Sequence, residues 1–440
     1  MRTSGFKRYA ISAVVAIAML SGCGVPPSPF DGVYPERSRG AQGDAQGFAN
    51  ARHFAVLYRF RGSPGDGATP EGALVALGGD FYGTTAQGGS KFAGTVFAVG
   101  KSGKERVLYN FKGDPDGFEP LAGPIATHDA LFGTTFYGGA SEHGSVFKVS
   151  RFGKERVLYS FGGLGGARRR AGPEGDGSGP QAGLVAMNGM LYGTTSFGGM
   201  SAPCCDNGCG TVFALDPVSG HERVLHRFRC GSDGEDPTDL VAMNGKLYGT
   251  TLAGGTGNCN DAQGCGSVFE ISTSGHKRTL YRFGGGAAGE YPGTLVPLNG
   301  VLYGITYEGG DFNCSANGCG TVFEIDASQK ERTLYAFQGV PDGADPNYLI
   351  GAGGALYGTT ALGGARNAGT IFDLSASGGE SVLYSFRDRK GKEGSGGASP
   401  LGLTAHNGVF YGMSGGGDPY CYIYRDVTAC GLVFALRMPG

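Results

Sequence analysis

Eleven cysteines give this 440-residue chain its clearest capacity for chemistry. Cys23 stands alone near the start, and the other ten lie between Cys204 and Cys430. Cysteines at close spacing either oxidise to disulfides or hold a soft metal ion. An even number beyond Cys23, in a chain that begins like an exported one, favours five disulfides. The spacing pairs Cys259 with Cys265, Cys314 with Cys319, and Cys421 with Cys430. Each closes a short loop and stabilises it by roughly 2–3 kcal/mol. Cys209 pairs with Cys204 or Cys205, and Cys230 takes the one left over. Two alternatives stand beside this: a four-thiolate zinc site from Cys204, Cys205, Cys209 and Cys230, and a vicinal bridge between Cys204 and Cys205.

Other reactive side chains converge less. Asp-Gly pairs begin at Asp66, Asp116, Asp176, Asp233 and Asp342. They could hold calcium, but Asp-Gly is turn chemistry, in which Asp bonds the backbone and Gly takes positive φ. His128, His406, His221 and His276 fall at turns, His226 within an apolar strand pattern, His53 far upstream and His143 in a loop. No catalytic set follows from them, and no catalytic residue, metal ligand or cofactor is assigned. Tyr420, Tyr422 and Tyr424 alternate, so an extended backbone puts their rings on one side, beside Arg425. With Asp311 and Phe312 they suit recognition of a protein or a sugar. Arg168, Arg169 and Arg170 read as a solvated loop.

The elements that must position these residues repeat. Tyr82-Gly83-Thr84-Thr85 recurs, with variation, from Phe132, Tyr192, Tyr248, Tyr303, Tyr357 and Tyr411, at intervals of 50 to 60 residues. Gly94-Thr95-Val96-Phe97 and Val56-Leu57-Tyr58-Arg59-Phe60 recur as often. A period near 50 of short strands and turns signals a propeller or a similar array. One unit reads as four strands, a to d. An apolar strand a leads through a tight turn such as Asn188-Gly189 into strand b (Tyr-Gly-Thr-Thr), then strand c (Gly-Thr-Val-Phe) and strand d (Leu-Tyr-x-Phe). The expected fold is all-β: a seven-bladed propeller of four-stranded antiparallel blades over residues 53–440, with almost no helix. The first strand is of type d and the last of type c, so the N-terminal strand is expected to complete the last blade. The wealth of glycine, 87 residues, serves turns rather than collagen, since no every-third-residue period exists.

A strand ending at Gly88-Gly89, Gly138-Gly139 or Gly198-Gly199, followed by aromatic strands, is similar to kelch propellers, although Phe stands where kelch repeats carry Trp. Tyr-Gly-Thr-Thr…Gly-Gly…Gly-Thr-Val-Phe…Leu-Tyr-x-Phe more closely resembles the GloVer tandem repeat of bacterial surface proteins. That resemblance covers about residues 54–436 and implies a surface location but no activity. Near the N-terminus, three cations precede the apolar run Ala10–Leu20, too short to span a bilayer. The run ends Leu20-Ser21-Gly22-Cys23, which resembles the lipobox of bacterial lipoproteins. This implies a signal peptide over 1–22, lipidation of Cys23 and, with Gly24 following, the outer membrane. Residues 23–52, rich in Pro, Gly, Ser and Gln, read as a flexible tether.

Loop lengths separate the two faces of the expected disc. The a–b and c–d connections barely vary, whereas the b–c loops run 8, 8, 14, 14, 13, 8 and 16 residues. The d–a connections vary on that same face, and every longer b–c loop carries the cysteines. Positions common to all copies serve packing, so function belongs on the variable face. Strand a carries almost no charge, so the central channel is expected to offer few ligands. The net charge of −2 gives no footprint for nucleic acid. The sequence thus reads as a monomeric, lipid-anchored module that binds a glycan or a protein, the alternative being a hydrolase or lyase of envelope or extracellular polysaccharide.

Overall fold

The computed structural model describes residues 54–164, 175–255, 257, 259, 264–387, 397–416, 421–423, 426–428 and 430–438, with strand backbone alone for 421–423 and 426–428. The expected signal, Cys23, the tether, and Arg168, Arg169 and Arg170 lie outside these residues. The described chain is all-β, with two short 3-10 turns at Gly231–Asp233 and Gly286–Ala288 as its helical content. Seven four-stranded antiparallel sheets form the blades. In blade 4, for example, strands a to d are Glu235–Met243, Lys246–Ala253, Ser267–Ile271 and Lys277–Arg282. Asn188-Gly189, Asn244-Gly245, Asn299-Gly300 and Asn407-Gly408 turn strand a into strand b with positive φ at both residues, as a type I′ hairpin requires. The innermost strands of successive blades neighbour one another all the way round, including Gly67–Leu77 beside Pro400–His406. They therefore line the axis. The last sheet takes its outer strand from the other end of the chain, where Phe54–Arg59 pairs antiparallel with Leu432–Arg437.

One joint links each blade to the next. The residue before the strand a proline donates its backbone N–H to a carbonyl of the preceding blade, at 2.9–3.1 Å: Thr69 to Cys430, Glu119 to Ala93, Gly179 to His143, Asp236 to Cys209, Tyr291 to Cys265, Asp345 to Cys319 and Ser399 to Ala368. These donors sit at φ between 49° and 63°, a conformation that costs a non-glycine residue of order 1 kcal/mol and persists because the hydrogen bond fixes it. The proline ring then rests on the glycine that opens strand c of the preceding blade. A methyl group on Gly94 would lie 2.8 Å from Pro120 Cδ and 2.9 Å from the Ala86 carbonyl oxygen, so only glycine fits.

Phenylalanine supplies the apolar part of the joint. The strand d ring of each blade meets the strand c ring of the next edge-on, from Phe60–Phe97 through Phe228–Phe269 to Phe386–Phe434, at centroid distances of 4.9–5.4 Å. Such pairs contribute about 0.5–1.5 kcal/mol each beyond burial. These rings are fully buried. The glycine of Tyr-Gly-Thr-Thr leaves room for them, since a Cβ on Gly83 would lie 2.6 Å from Phe97 Cζ.

Polar groups seal the outer end of the joint. The strand d tyrosine hydroxyl donates to the Asp of Asp-Gly: Tyr58 to Asp66, Tyr109 to Asp116, Tyr159 to Asp176 and Tyr335 to Asp342, at 2.5–2.9 Å. The same carboxylates accept backbone N–H groups of Arg61, Lys112, Gly162 and Gln338, which is the expected turn role. A glutamate from strand d of the next blade faces each pair. Burial, and then the neighbouring Asp, pushes Glu105, Glu155, Glu222 and Glu380 up to about 7. Other joints differ. His226 replaces the tyrosine where Lys277 replaces the glutamate, and both bond Asp233, at 3.0 and 2.7 Å. Burial opposes ionisation of Asp233, but these two partners prevail and hold its pKa down to about 2. At the joint of blades 6 and 7 Phe54 stands in place of the glutamate and stacks on Tyr384 at 4.2 Å.

Two outcomes follow. Gly94→Ala should destabilise the protein by about 3 kcal/mol or more, because strain and overlap add. Gly245→Ala, also at positive φ but in open space, should cost only about 1 kcal/mol; urea midpoints compare the two. The four glutamates bind protons more tightly folded than unfolded, so their contribution to stability is complete below about 4.5 and fades as pH rises through about 7. The melting temperature should fall between pH 5 and pH 8. Replacing all four glutamates by Gln should flatten that slope.

Candidate functional site

The carbonyls of Cys209, Cys265, Cys319 and Cys430 accept the joint hydrogen bonds, and these cysteines are at most 1% exposed. Ala93 and Ala368 hold the same place in two of the blades with short loops. A cysteine there fills an alanine-sized site and ties its loop to the joint. Cys259–Cys265 and Cys314–Cys319 are bonded as the spacing predicts. The ambiguous group resolves into Cys205–Cys209 and Cys204–Cys230. Cys430 is also disulfide-bonded, whereas the side chain of its expected partner, Cys421, lies outside the described residues.

Beside this cluster the channel wall turns polar, contrary to the expectation of an almost uncharged strand a. Asp236 and Asp239 flank Pro237 and Thr238 at the start of strand a in blade 4. Gln181 Nε2 of blade 3 donates to Asp236 Oδ1 at 3.2 Å. Asp239 Oδ2 accepts the Leu295 N–H of blade 5 at 2.7 Å. Burial is the first cause that raises both aspartates to about 6. Tyr307 of blade 5 and Tyr348 of blade 6 are pushed well up, first by burial and then by the Asp239 charge. Gln181 to Asp236 and Leu295 to Asp239 thus join blades 3, 4 and 5 at the inner strands, and the Asp239 charge reaches Tyr307 and Tyr348. Asp345, before Pro346, is raised by burial to about 6, and Glu119, before Pro120, is raised in the same way. Carboxylates, an amide and tyrosines are side chains able to exchange hydrogen bonds with a polyhydroxyl ligand. Carboxyls that titrate near neutrality can also move protons.

A family model, the Gloeobacter/Verrucomicrobia repeat, matches residues 45–177 and 171–347. The chain belongs to the Gloeobacter/Verrucomicrobia repeat family. No curated protein matches this repeat protein. Its fold is similar to the computationally designed Ika8 protein, with TM-score 0.47 and 13% identity over 87% of this chain and 99% of that one. It is also similar to BamB from Moraxella catarrhalis (TM-score 0.43, 13% identity, 88% and 98% covered). A gluconolactonase from Xanthomonas campestris gives TM-score 0.41 and 12% identity, with 88% and 89% covered. These likenesses concern the fold alone.

The binding residues expected from the repeat protein's sequence are not brought together among the described residues. Phe312 is half exposed on the blade 5 loop, and Asp311 caps a local turn by accepting the Asn313 N–H at 2.9 Å. The blade 7 loop contains a small hairpin, Cys421–Ile423 against Asp426–Thr428, in which Tyr422 pairs with Val427. Tyr420, Tyr424 and Arg425 lie outside the described residues. His143 bonds Ser178 at 3.0 Å and supports a loop. A shallow cleft of about 450 Å³ beside Asp114, Pro115 and Glu142 is remote in sequence from both clusters. The channel group was missed because attention to shared motifs passes over residues unique to one copy. The available signal was acid beside the strand a proline, in Glu119, Asp236 and Asp345. Proteolysis without reduction should yield a peptide joining Cys230 to the segment that contains Cys204. Cys230→Ser should free one thiol on Cys204, as counted by alkylation and mass spectrometry.

Proposed function

We propose that this chain is a cell-surface, lipid-anchored propeller that binds a glycan at its variable face, with the channel group as the centre of the site. The observation that carries this reading is the polar group Gln181, Asp236, Asp239, Tyr307 and Tyr348, which breaks the sevenfold repetition where nearly every repeated side chain serves packing. Sugars are recognised by such sets, in which carboxylates and amides take hydroxyls and aromatic faces take C–H surfaces. Protein recognition by the longer b–c loops, with Phe312 exposed, is the neighbouring possibility on the same face. Cys23 after Leu20-Ser21-Gly22 supports the anchor, and the tether supports display off a membrane.

One observation favours a hydrolase or lyase instead: Asp236 and Asp239, raised to about 6, lie in the range of a working acid or base. A glycan and protein array probed with the chain from Cys23 onward separates the readings. Binding to a glycan class should fall at least about tenfold in Asp236→Asn and Asp239→Asn, the worth of one charged hydrogen bond, while the fold persists. An array without hits, together with polymer breakdown that Asp239→Asn abolishes, would replace binding with catalysis.

A further inference from the structure

We propose that Cys204, Cys205, Cys209, Cys230 and Glu235 constitute a zinc site in the reduced protein, which oxidation converts into the two disulfides. The four sulfurs and a Glu235 carboxylate oxygen all lie within 4.8 Å of one another. Four thiolates around a tetrahedral zinc ion, with Zn–S near 2.3 Å, stand about 3.8 Å apart, so on reduction the sulfurs within each pair separate to that spacing while the two pairs already lie within reach of one ion. A tight turn delivers two of them to one side: Cys205 N–H donates to the Ala202 carbonyl, and Gly208 N–H donates to the Cys205 carbonyl at 2.9 Å. Cys230, just past strand d of blade 3, closes the set from the other side.

Glu235 is the independent sign that a ligand belongs here. Its side chain is only 7% exposed, and its Oε2 is buried without a hydrogen-bond partner. Disulfide sulfurs carry no proton to offer it, so the oxidised cluster leaves a buried carboxyl oxygen unpaired, an arrangement that costs roughly 1–3 kcal/mol. Blades 1, 6 and 7 carry Ala68, Ala344 and Ala398 at that position, so the blade itself does not require an acid. Beside zinc thiolates the Glu235 carboxyl, within 4.8 Å of each sulfur, is placed to contact a sulfur and orient the set. Stapling a loop does not explain the cluster either. The loops with Cys259–Cys265 and Cys314–Cys319 are each closed by one bond, whereas four cysteines gather here. Sulfur ligands select zinc over calcium or magnesium.

The exchange balances as follows. A dithiol reductant gives two electrons and two protons to each disulfide and becomes a disulfide itself. Zinc then binds the four sulfurs and releases the four thiol protons to water. Oxidation by a disulfide or peroxide removes the electrons, re-forms both S–S bonds and expels the ion.

The test uses the full chain, reduced with a phosphine, freed of metal and titrated with Zn2+ alone. Native mass spectrometry counts the ion, and competition with a chromophoric chelator gives the affinity. The expected result is one zinc held by the cluster, lost on oxidation with diamide. Cys204→Ser with Cys230→Ser should weaken binding at least about tenfold, while Cys314→Ser with Cys319→Ser leaves it unchanged. Glu235→Leu should weaken it about tenfold and Glu235→Gln should restore it, because the amide keeps a polar group beside the sulfurs and can donate to one of them. Both Glu235 variants keep all cysteines, so circular dichroism of their oxidised forms verifies folding before reduction. No zinc retained by the reduced chain, or equal affinity in the Cys204/Cys230 double variant, would overturn the site. Equal affinities for Glu235→Leu and Glu235→Gln would overturn the role of Glu235.

Discussion

The joint between blades is the constraint on which the rest of this structure depends. Within a blade, antiparallel pairing needs only strands and turns, and many sequences supply those. Between blades there is no sheet to continue, so the angle must come from side chains and isolated backbone bonds. Here it comes from a single N–H to carbonyl bond, a proline ring on a glycine, and two phenylalanines edge to face. Each component is short-ranged and geometrically strict, and the same set recurs at every junction. Closure follows from repetition, because a fixed angle applied once per blade brings Pro70 against Gly431 and Thr69 against Cys430. The strand Phe54–Arg59 then ties the first part of the chain to the last.

The exceptions show that the joint obeys electrostatics as well as shape. Tyr159, Asp176 and Glu222 place two carboxyls and a hydroxyl together, which works only if one carboxyl keeps its proton. At the junction of blades 3 and 4 the solution is inverted: His226 and Lys277 surround Asp233 with donors and keep it ionised. Replacing the tyrosine alone or the glutamate alone would leave a mismatched charge, and the two changes occur together. Between blades 6 and 7 the polar set gives way to Phe54 stacked on Tyr384, and between blades 4 and 5 Tyr281 faces Glu331 without an Asp. The architecture tolerates four chemistries at this place in the joint.

How much of this was legible in the sequence depended on distance along the chain. Asn188-Gly189 announces its hairpin because two adjacent residues decide it. Cys259–Cys265 and Cys314–Cys319 are short closures with one sensible partner each. The choice between Cys204 and Cys205 was open because adjacent residues differ only in the direction of their side chains, which the folded turn fixes. The meeting of Glu105 with Tyr58 and Asp66 joins separate repeats, and no local pattern contains it. Asp236 and Gln181 are bonded from different blades, so a repeat-by-repeat reading treats each as an ordinary polar residue at a strand entrance. Averaging over copies reveals the scaffold and erases whatever one copy does alone.

The departures from the repeat concentrate between blades 3 and 4. The inverted electrostatic joint, the four-cysteine group and the aspartates of the channel all fall there. Glu235 and Asp236 are consecutive, one side chain turned to the sulfurs and the next bonded by Gln181. The Asp236 backbone is held at φ 51° by its N–H bond to the carbonyl of Cys209. The Cys209 carbonyl that accepts this bond belongs to the residue whose sulfur is bonded to Cys205, so the disulfide and Asp236 share one joint. No comparable link exists among the described residues of blades 1 and 6, where Ala93 and Ala368 occupy the acceptor position and have no side chain with which to report a chemical change.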